Sequence, residues 1–368
     1  MADSPSRILF ISYPLLTVSD ESAGGAEQVL WNLERELSLR GSRTTVAASH
    51  GSRVAGELFA TGAPCRQSDD FERRNREHQE AIIEFVGRRR RERRSFDLIH
   101  DMSGSFWSQA AELDTPLLAT LHLPRSFYPA HLFAEIPENV RFNCVSAAQA
   151  QSFANIDQVI GVAPNGVALD RFEPNYGPRA GLLWIGRICE EKGPHIALEI
   201  AGVAGEAITL AGQVYPFSYH QNYFQKKVVP QLRRLPEARF IESPSMQQKR
   251  SLLRESRALV ITSSVDETSS LVAMEAAASG TPVVAFRRGA LPEVIKEGVT
   301  GFLVDTLDEA VRALRDIDRI SPSGCVRHAR ANFSSARMAQ SYAALYAELL
   351  HPHGGFRPAS SAVVQQAL

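Results

Sequence analysis

Residues 7–49 read RILFISYPLLTVSDESAGGAEQVLWNLERELSLRGSRTTVAAS, and the patterning of this stretch sets the fold class. Residues 7–14 form an apolar run that gives way to a loop. Over residues 25–40, Val29, Leu30, Leu33 and Leu37 recur at helical spacing, which predicts an amphipathic helix. Gly41 then stands where a residue just past a helix takes left-handed backbone, and residues 44–49 supply a second strand. Strand, helix, strand is a βαβ unit, so the sheet should be parallel.

The alternation continues outward. Apolar runs at residues 97–102, 116–123 and 142–147 extend it into a first Rossmann-like domain, residues 1–165. A turn-rich stretch, PNGVALDRFEPNYGP at residues 164–178, reads as a domain connection. Strands are then expected at residues 181–188, 207–214, 238–241, 258–263, 282–286 and 301–304, giving a second parallel sheet within residues 178–332. A last helical pattern, residues 335–350, places Met338, Tyr342, Leu345, Tyr346 and Leu349 on one face. It is expected to cross back to the first domain, and residues 351–368 are expected to form a mobile tail. At 368 residues the chain exceeds one ordinary core, which agrees with two domains.

Forty basic against forty-one acidic residues exclude the charge excess that binding to a nucleic acid would need. Cys65, Cys144, Cys189 and Cys325 are scattered, with no Cys-x-x-Cys pair and no neighbouring His at ligand spacing, so neither a disulfide scaffold nor a structural zinc is expected. No leader-like opening and no run of about 18 apolar residues occurs, which leads to the expectation of a soluble, cytoplasmic protein. Arg88 to Arg91, Arg93 and Arg94 end a helical segment that starts near Asp70. We read them as a solvated helix end, with weak association with an anionic membrane surface or with an acceptor as the alternative.

The chemistry is densest at residues 262–286, TSSVDETSSLVAMEAAASGTPVVAF, between two expected strands. Glu267 and Glu275 have seven residues between them. On one regular helix they would stand about 12 Å apart along the axis, too far to share a proton. Thr268, Ser269 and Ser270 are helix-capping residue types, so Glu267 belongs to the entering loop and Glu275 to the helix. Each carboxylate would then meet a different part of one elongated ligand, and the first-turn amides would be free for an anion.

This segment resembles the Glu-x7-Glu signature of the family 4 retaining glycosyltransferases, and five further stretches follow in that family's order. GGAEQV at residues 24–29 is similar to its glycine loop, LATLHLP at 118–124 to its strand-end Thr-x-His, and VAPNGVALDRF at 162–172 to its Pro-Asn-Gly-Val segment. IGRICEEKG at 185–193 resembles its diphosphate motif, and the segment from Gly280, GTPVVAFRRGALPEVIKEGVTGFLVD, completes the set. Ser270 stands where the family commonly has Gly. The resemblance implies a GT-B fold, α/β, with two Rossmann-like domains facing across a cleft. It implies a metal-independent transfer that retains anomeric configuration, from a nucleoside-diphosphate sugar to an unidentified hydroxyl acceptor. No cofactor is expected, since the nucleotide sugar is a co-substrate.

Gly24 and Gly25 lie between first strand and first helix, where missing Cβ atoms let amides approach a phosphate. Arg187 and Lys192 could converge on one diphosphate. The chain has five lysines against thirty-five arginines, which singles Lys192 out. Their charges would neutralise a departing diphosphate. By resemblance Glu267 contacts the donor sugar, Glu275 the ribose hydroxyls, His122 a sugar hydroxyl, and Asn165, Ser270 and Leu271 border the donor. Two other readings stay open at this stage: a catalytically inactive nucleotide-sugar-binding subunit, and a GT-B sugar-nucleotide epimerase.

Overall fold

The computed structural model describes residues 6–65 and 70–351. The tail expected over residues 351–368 lies outside them except for its first residue. Two compact units are present, one made of residues up to Gly166 together with those from Ser335 onward, the other Val167–Ser334.

The first unit is a seven-stranded sheet. Its strands are β1 (Arg7–Ile11), β2 (Arg43–Ala48), β3 (Glu57–Ala60), β4 (Leu98–Asp101), β5 (Leu117–Thr120), β6 (Val140–Cys144) and β7 (Val159–Val162), ordered β3-β2-β1-β4-β5-β6-β7. Every pairing is parallel, with Leu9 opposite Thr45 on one side and Ile99 on the other. Strands covered on both faces read as largely apolar runs, as β1 and β5 do. The helix Gly25–Leu39 buries Val29, Leu30, Leu33 and Leu37. It ends in a Schellman motif: Gly41 has φ +95°, its N–H meets the Ser38 carbonyl, and the Ser42 N–H meets that of Leu37. Glu34, fully buried on the same helix, accepts from Thr44 Oγ1 at 2.5 Å and from the N–H groups of Ala55 and Gly56 at 2.9 and 2.7 Å. Those bonds tie down the loop that delivers β3.

The second unit repeats the plan with β8 (Leu182–Ile185), β9 (Ile208–Gly212), β10 (Ala238–Glu242), β11 (Ala258–Ile261), β12 (Val283–Phe286) and β13 (Gly301–Val304), all parallel, in the order β10-β9-β8-β11-β12-β13. Strand order therefore reverses between β1 and β4 in one unit and between β8 and β11 in the other. In open parallel sheets such a reversal splays the loops after the two strands apart and leaves a crevice at their carboxyl ends.

The helix Ser335–Leu350 packs on Gly25–Leu39 and β7, burying Met338, Ala339, Tyr342, Leu345 and Tyr346. Its tyrosines complete a buried polar chain. Thr120 Oγ1 donates to Asn143 Oδ1 at 2.8 Å, so it accepts from His100 Nε2 at 2.7 Å; His100 Nδ1 is left to accept from the Tyr346 hydroxyl at 2.7 Å. Tyr346→Phe strands that imidazole nitrogen and is expected to cost about 1–3 kcal/mol, read as a drop in thermal midpoint. An unchanged midpoint would contradict the chain as drawn.

The basic stretch differs from its expected form. The helix Phe71–Arg91 buries Arg89, whose guanidinium pairs with Glu57 of β3 and lies 4.9 Å from the Phe85 ring centroid. Arg90 pairs with Asp114, and Arg88 lies 5.3 Å from the Phe85 centroid. The solvated helix end is thus corrected for Arg89, whose apolar stem packs while its head is neutralised. Among the described residues no helix is long and apolar enough to cross a membrane.

Candidate functional site

The crevice between β8 and β11 is built by two loops. After β8 the chain runs through Arg187 into a short turn, Glu190–Lys192, and then Gly193. Gly193 has φ +64°, and a Cβ there would collide with the carbonyl of Thr262 just past β11. Only glycine permits both the turn and the approach. Thr262 Oγ1 then donates to the Gly193 carbonyl at 2.7 Å and accepts from Trp184 Nε1 at 3.2 Å, and the Ser264 N–H meets the Glu191 carbonyl at 2.9 Å. The two loops are fastened to each other by backbone.

This fastening joins two residues 75 positions apart in the chain. Lys192 Nζ lies 2.6 Å from Glu267 Oε1 and 2.8 Å from Oε2, and Ser263 Oγ also donates to Oε1. The Glu267 side chain is 11% exposed and that of Lys192 27%. Glu267 is fixed from a third side, because its carbonyl accepts from the Ala290 N–H at 2.7 Å beside Gly289, where φ is +52° and a Cβ would strike Glu267 backbone. Arg187 is not drawn into this pair. Its Nη2 sits 3.8 Å from Glu191 Oε1, and its guanidinium is 6.0 Å from the Tyr215 centroid.

Glu275 is the fifth residue of the helix Leu271–Ala278, capped by Ser270, whose Oγ accepts from the Ala273 N–H at 3.4 Å. Glu267 lies in the entering loop. Glu275 is 1% exposed, and Lys249 Nζ, from the helix Met246–Glu255, stands 2.7 Å from Oε1 and 2.6 Å from Oε2. Only the Oε1 contact has hydrogen-bond geometry, so Oε2 keeps acceptor capacity although it touches the ammonium. Lys249 escaped the sequence reading. The scarcity of lysine that marked Lys192 applies equally to it.

In the first unit, Gly24 leaves room beside the start of its helix. A Cβ there would collide with the carboxyl of Glu27, so the space is used by a neighbouring side chain. Glu27 is 5% exposed, and burial pushes its carboxyl up to about 7. A carboxyl raised in the folded state contributes stability that is present below about pH 4.5 and lost as pH rises toward 7. Glu27→Gln should therefore gain on the wild type by up to roughly 3 kcal/mol between pH 4.5 and 8, seen as a crossing trend in thermal midpoints. A constant difference across that range would refute the assignment. Gly25 is exposed at the start of its helix. His122 follows β5, and burial pushes its imidazole down to about 4, leaving it neutral at physiological pH. Asn165 is 6% exposed, with its Oδ1 lacking a hydrogen-bond partner among the described residues, and Leu271 opens its helix half-buried.

Residues 23–171 match the sequence model described as Glycosyltransferase Family 4, and residues 167–331 match that described as Glycosyl transferases group 1. D-inositol 3-phosphate glycosyltransferase of Mycolicibacterium smegmatis is 29% identical over 236 residues, 59% of this chain and 54% of the relative. The chain thus spans about half the length of the curated relatives of this kind. AviGT4, a glycosyltransferase involved in avilamycin A biosynthesis, superposes with a TM-score of 0.70 at 23% identity over 94% of this chain and 98% of its own. HepE of Anabaena, solved in complex with UDP-glucose, does so with a TM-score of 0.70 at 15% identity over 93% and 99%. With its two parallel α/β units and the two models matched in succession along it, the chain has the GT-B fold and belongs to the family 4 glycosyltransferases.

Proposed function

We propose that this chain transfers a sugar from a nucleoside-diphosphate sugar to a hydroxyl acceptor, with retention of anomeric configuration and with no metal taking part in the transfer step. The observation that carries the proposal is the Lys192–Glu267 pair at the carboxyl ends of β8 and β11. That crevice is where sheets of this order hold nucleotides. HepE, which shares the fold, binds UDP-glucose.

Each side chain then takes a role. Lys192 and Arg187 neutralise the charge that develops on the departing diphosphate, a task suited to a compact ammonium and a planar guanidinium. Glu267 positions the donor sugar. Its oxygens are already clasped by Lys192 and Ser263, which makes it a poor nucleophile and favours deprotonation of the acceptor by the leaving diphosphate on the same face. Glu275, paired with Lys249, accepts from ribose hydroxyls. Ser270 and Leu271 offer first-turn amides to phosphate oxygens. In the first unit, a neutral His122 can hydrogen-bond a sugar hydroxyl, and Asn165 has a spare acceptor. The test is NMR assignment of the anomeric configuration of donor and product. Retention is expected, and an inverted product would overturn the mechanism.

A further inference from the structure

Cys189 and Glu191, neighbours in one turn, lie together in the second unit with His220, which is distant from them in sequence. One ligand atom from each, the Cys189 sulfur, a Glu191 carboxylate oxygen and a His220 ring nitrogen, falls within 4.8 Å of the others. Two sit in the turn after β8, and the third in the short helix Ser218–Tyr223 that follows β9. Cys189 and His220 are fully buried, and the Glu191 side chain is 20% exposed.

His220 supplies the second, independent observation. Neither of its ring nitrogens has a hydrogen-bond partner, although the residue is inaccessible to solvent. Its surroundings include the rings of Tyr215, Phe217 and Tyr219, with centroids 4.2–5.8 Å away. A buried imidazole with no partner carries a desolvation cost that native structures rarely leave standing. Something should meet it.

We propose that Cys189, Glu191 and His220 bind one zinc-type divalent cation. Sulfur, imidazole and carboxylate together are a borderline-soft set that suits Zn²⁺, and three protein ligands leave a fourth tetrahedral position for water. Charge balances, since thiolate and carboxylate together offset a doubly charged ion. Without metal the Cys189 thiol donates to the Arg187 carbonyl at 3.5 Å. Binding forms the S–metal bond and releases that one proton to solvent. The ion pins the turn that carries Arg187 and Lys192 to the helix after β9. The site borders the leaving-group machinery, since Glu191 is also 3.8 Å from Arg187, but metal binding by these three residues stands whether or not the transfer reading holds. It also departs from the sequence expectation of no metal, which rested on spacing along the chain and could not see His220 arrive through the fold.

The experiment treats the full chain with chelator, removes the chelator, and titrates it with Co²⁺ while following thiolate-to-cobalt charge-transfer absorption. Zn²⁺ is then measured by competition and by thermal shift. One equivalent of Co²⁺ should bind with the sulfur band, and Zn²⁺ should displace it and raise the melting temperature. Cys189→Ser should abolish the band. His220→Gln should weaken binding at least about tenfold. Cys325→Ser, at another buried cysteine, should leave both unchanged. If Cys189→Ser does not fold, the wild-type stoichiometry and His220→Gln decide alone. Absence of a one-equivalent sulfur band in the wild type, or its survival at full affinity in either ligand variant, overturns the site.

Discussion

Lys192→Ala is expected to lower kcat for sugar transfer by about 100- to 1,000-fold, the usual loss when one preorganised charge is removed from a developing anion. Two effects combine in that variant. The leaving diphosphate loses an ammonium, and Glu267, whose side chain is 11% exposed, loses the group that neutralises it. Glu267→Gln separates them, since it keeps the volume and removes only the negative charge. If Lys192 acts on the diphosphate, Lys192→Ala/Glu267→Gln stays as slow as Lys192→Ala. Recovery of kcat in the double variant would show that the lysine serves Glu267 alone.

The second large effect is on stability. Lys249→Met leaves the Glu275 carboxylate buried without its ammonium and is expected to destabilise the second unit by about 3–5 kcal/mol. Lys249→Met/Glu275→Leu, which removes both charges and keeps apolar volume, should restore most of that loss, because a buried pair costs nearly as much desolvation as it returns in attraction. Denaturant unfolding of these two variants, the wild type and Glu275→Leu closes the cycle. A single variant within about 0.5 kcal/mol of wild type would mean that Lys249 does not hold Glu275.

The sequence marked β1, β2, β4, β5 and β6 and every strand of the second sheet, and in most of these buried apolar residues dominate; β10, a half-exposed edge strand, was marked by its place in the alternation. It did not mark β3, ELFA, or β7, VIGV. Both are edge strands of four residues with half-exposed side chains, so neither carries an unbroken apolar run nor a clean alternation. Missing β3 hid Glu57, and with it the reason Arg89 is buried. At the site, the residue types were legible and their partnerships were not. Placing Glu267 in a loop and Glu275 in a helix followed from capping chemistry at Ser270. The contact of Lys192 with Glu267 depends on two loops drawn together at a sheet reversal, and that of Glu275 with Lys249 on two helices packing, neither of which a linear spacing records.

The central claim is a nucleotide-sugar site at the β8/β11 crevice. Its most direct test is the thermal shift of the wild type and of Glu267→Gln with UDP-, GDP-, ADP- and TDP-sugars at saturating concentration. A donor at about 100 times its Kd stabilises by roughly 2.7 kcal/mol. One donor class should raise the wild-type melting temperature and lose most of that effect in Glu267→Gln. No shift with any donor, or equal shifts in both proteins, would contradict the site.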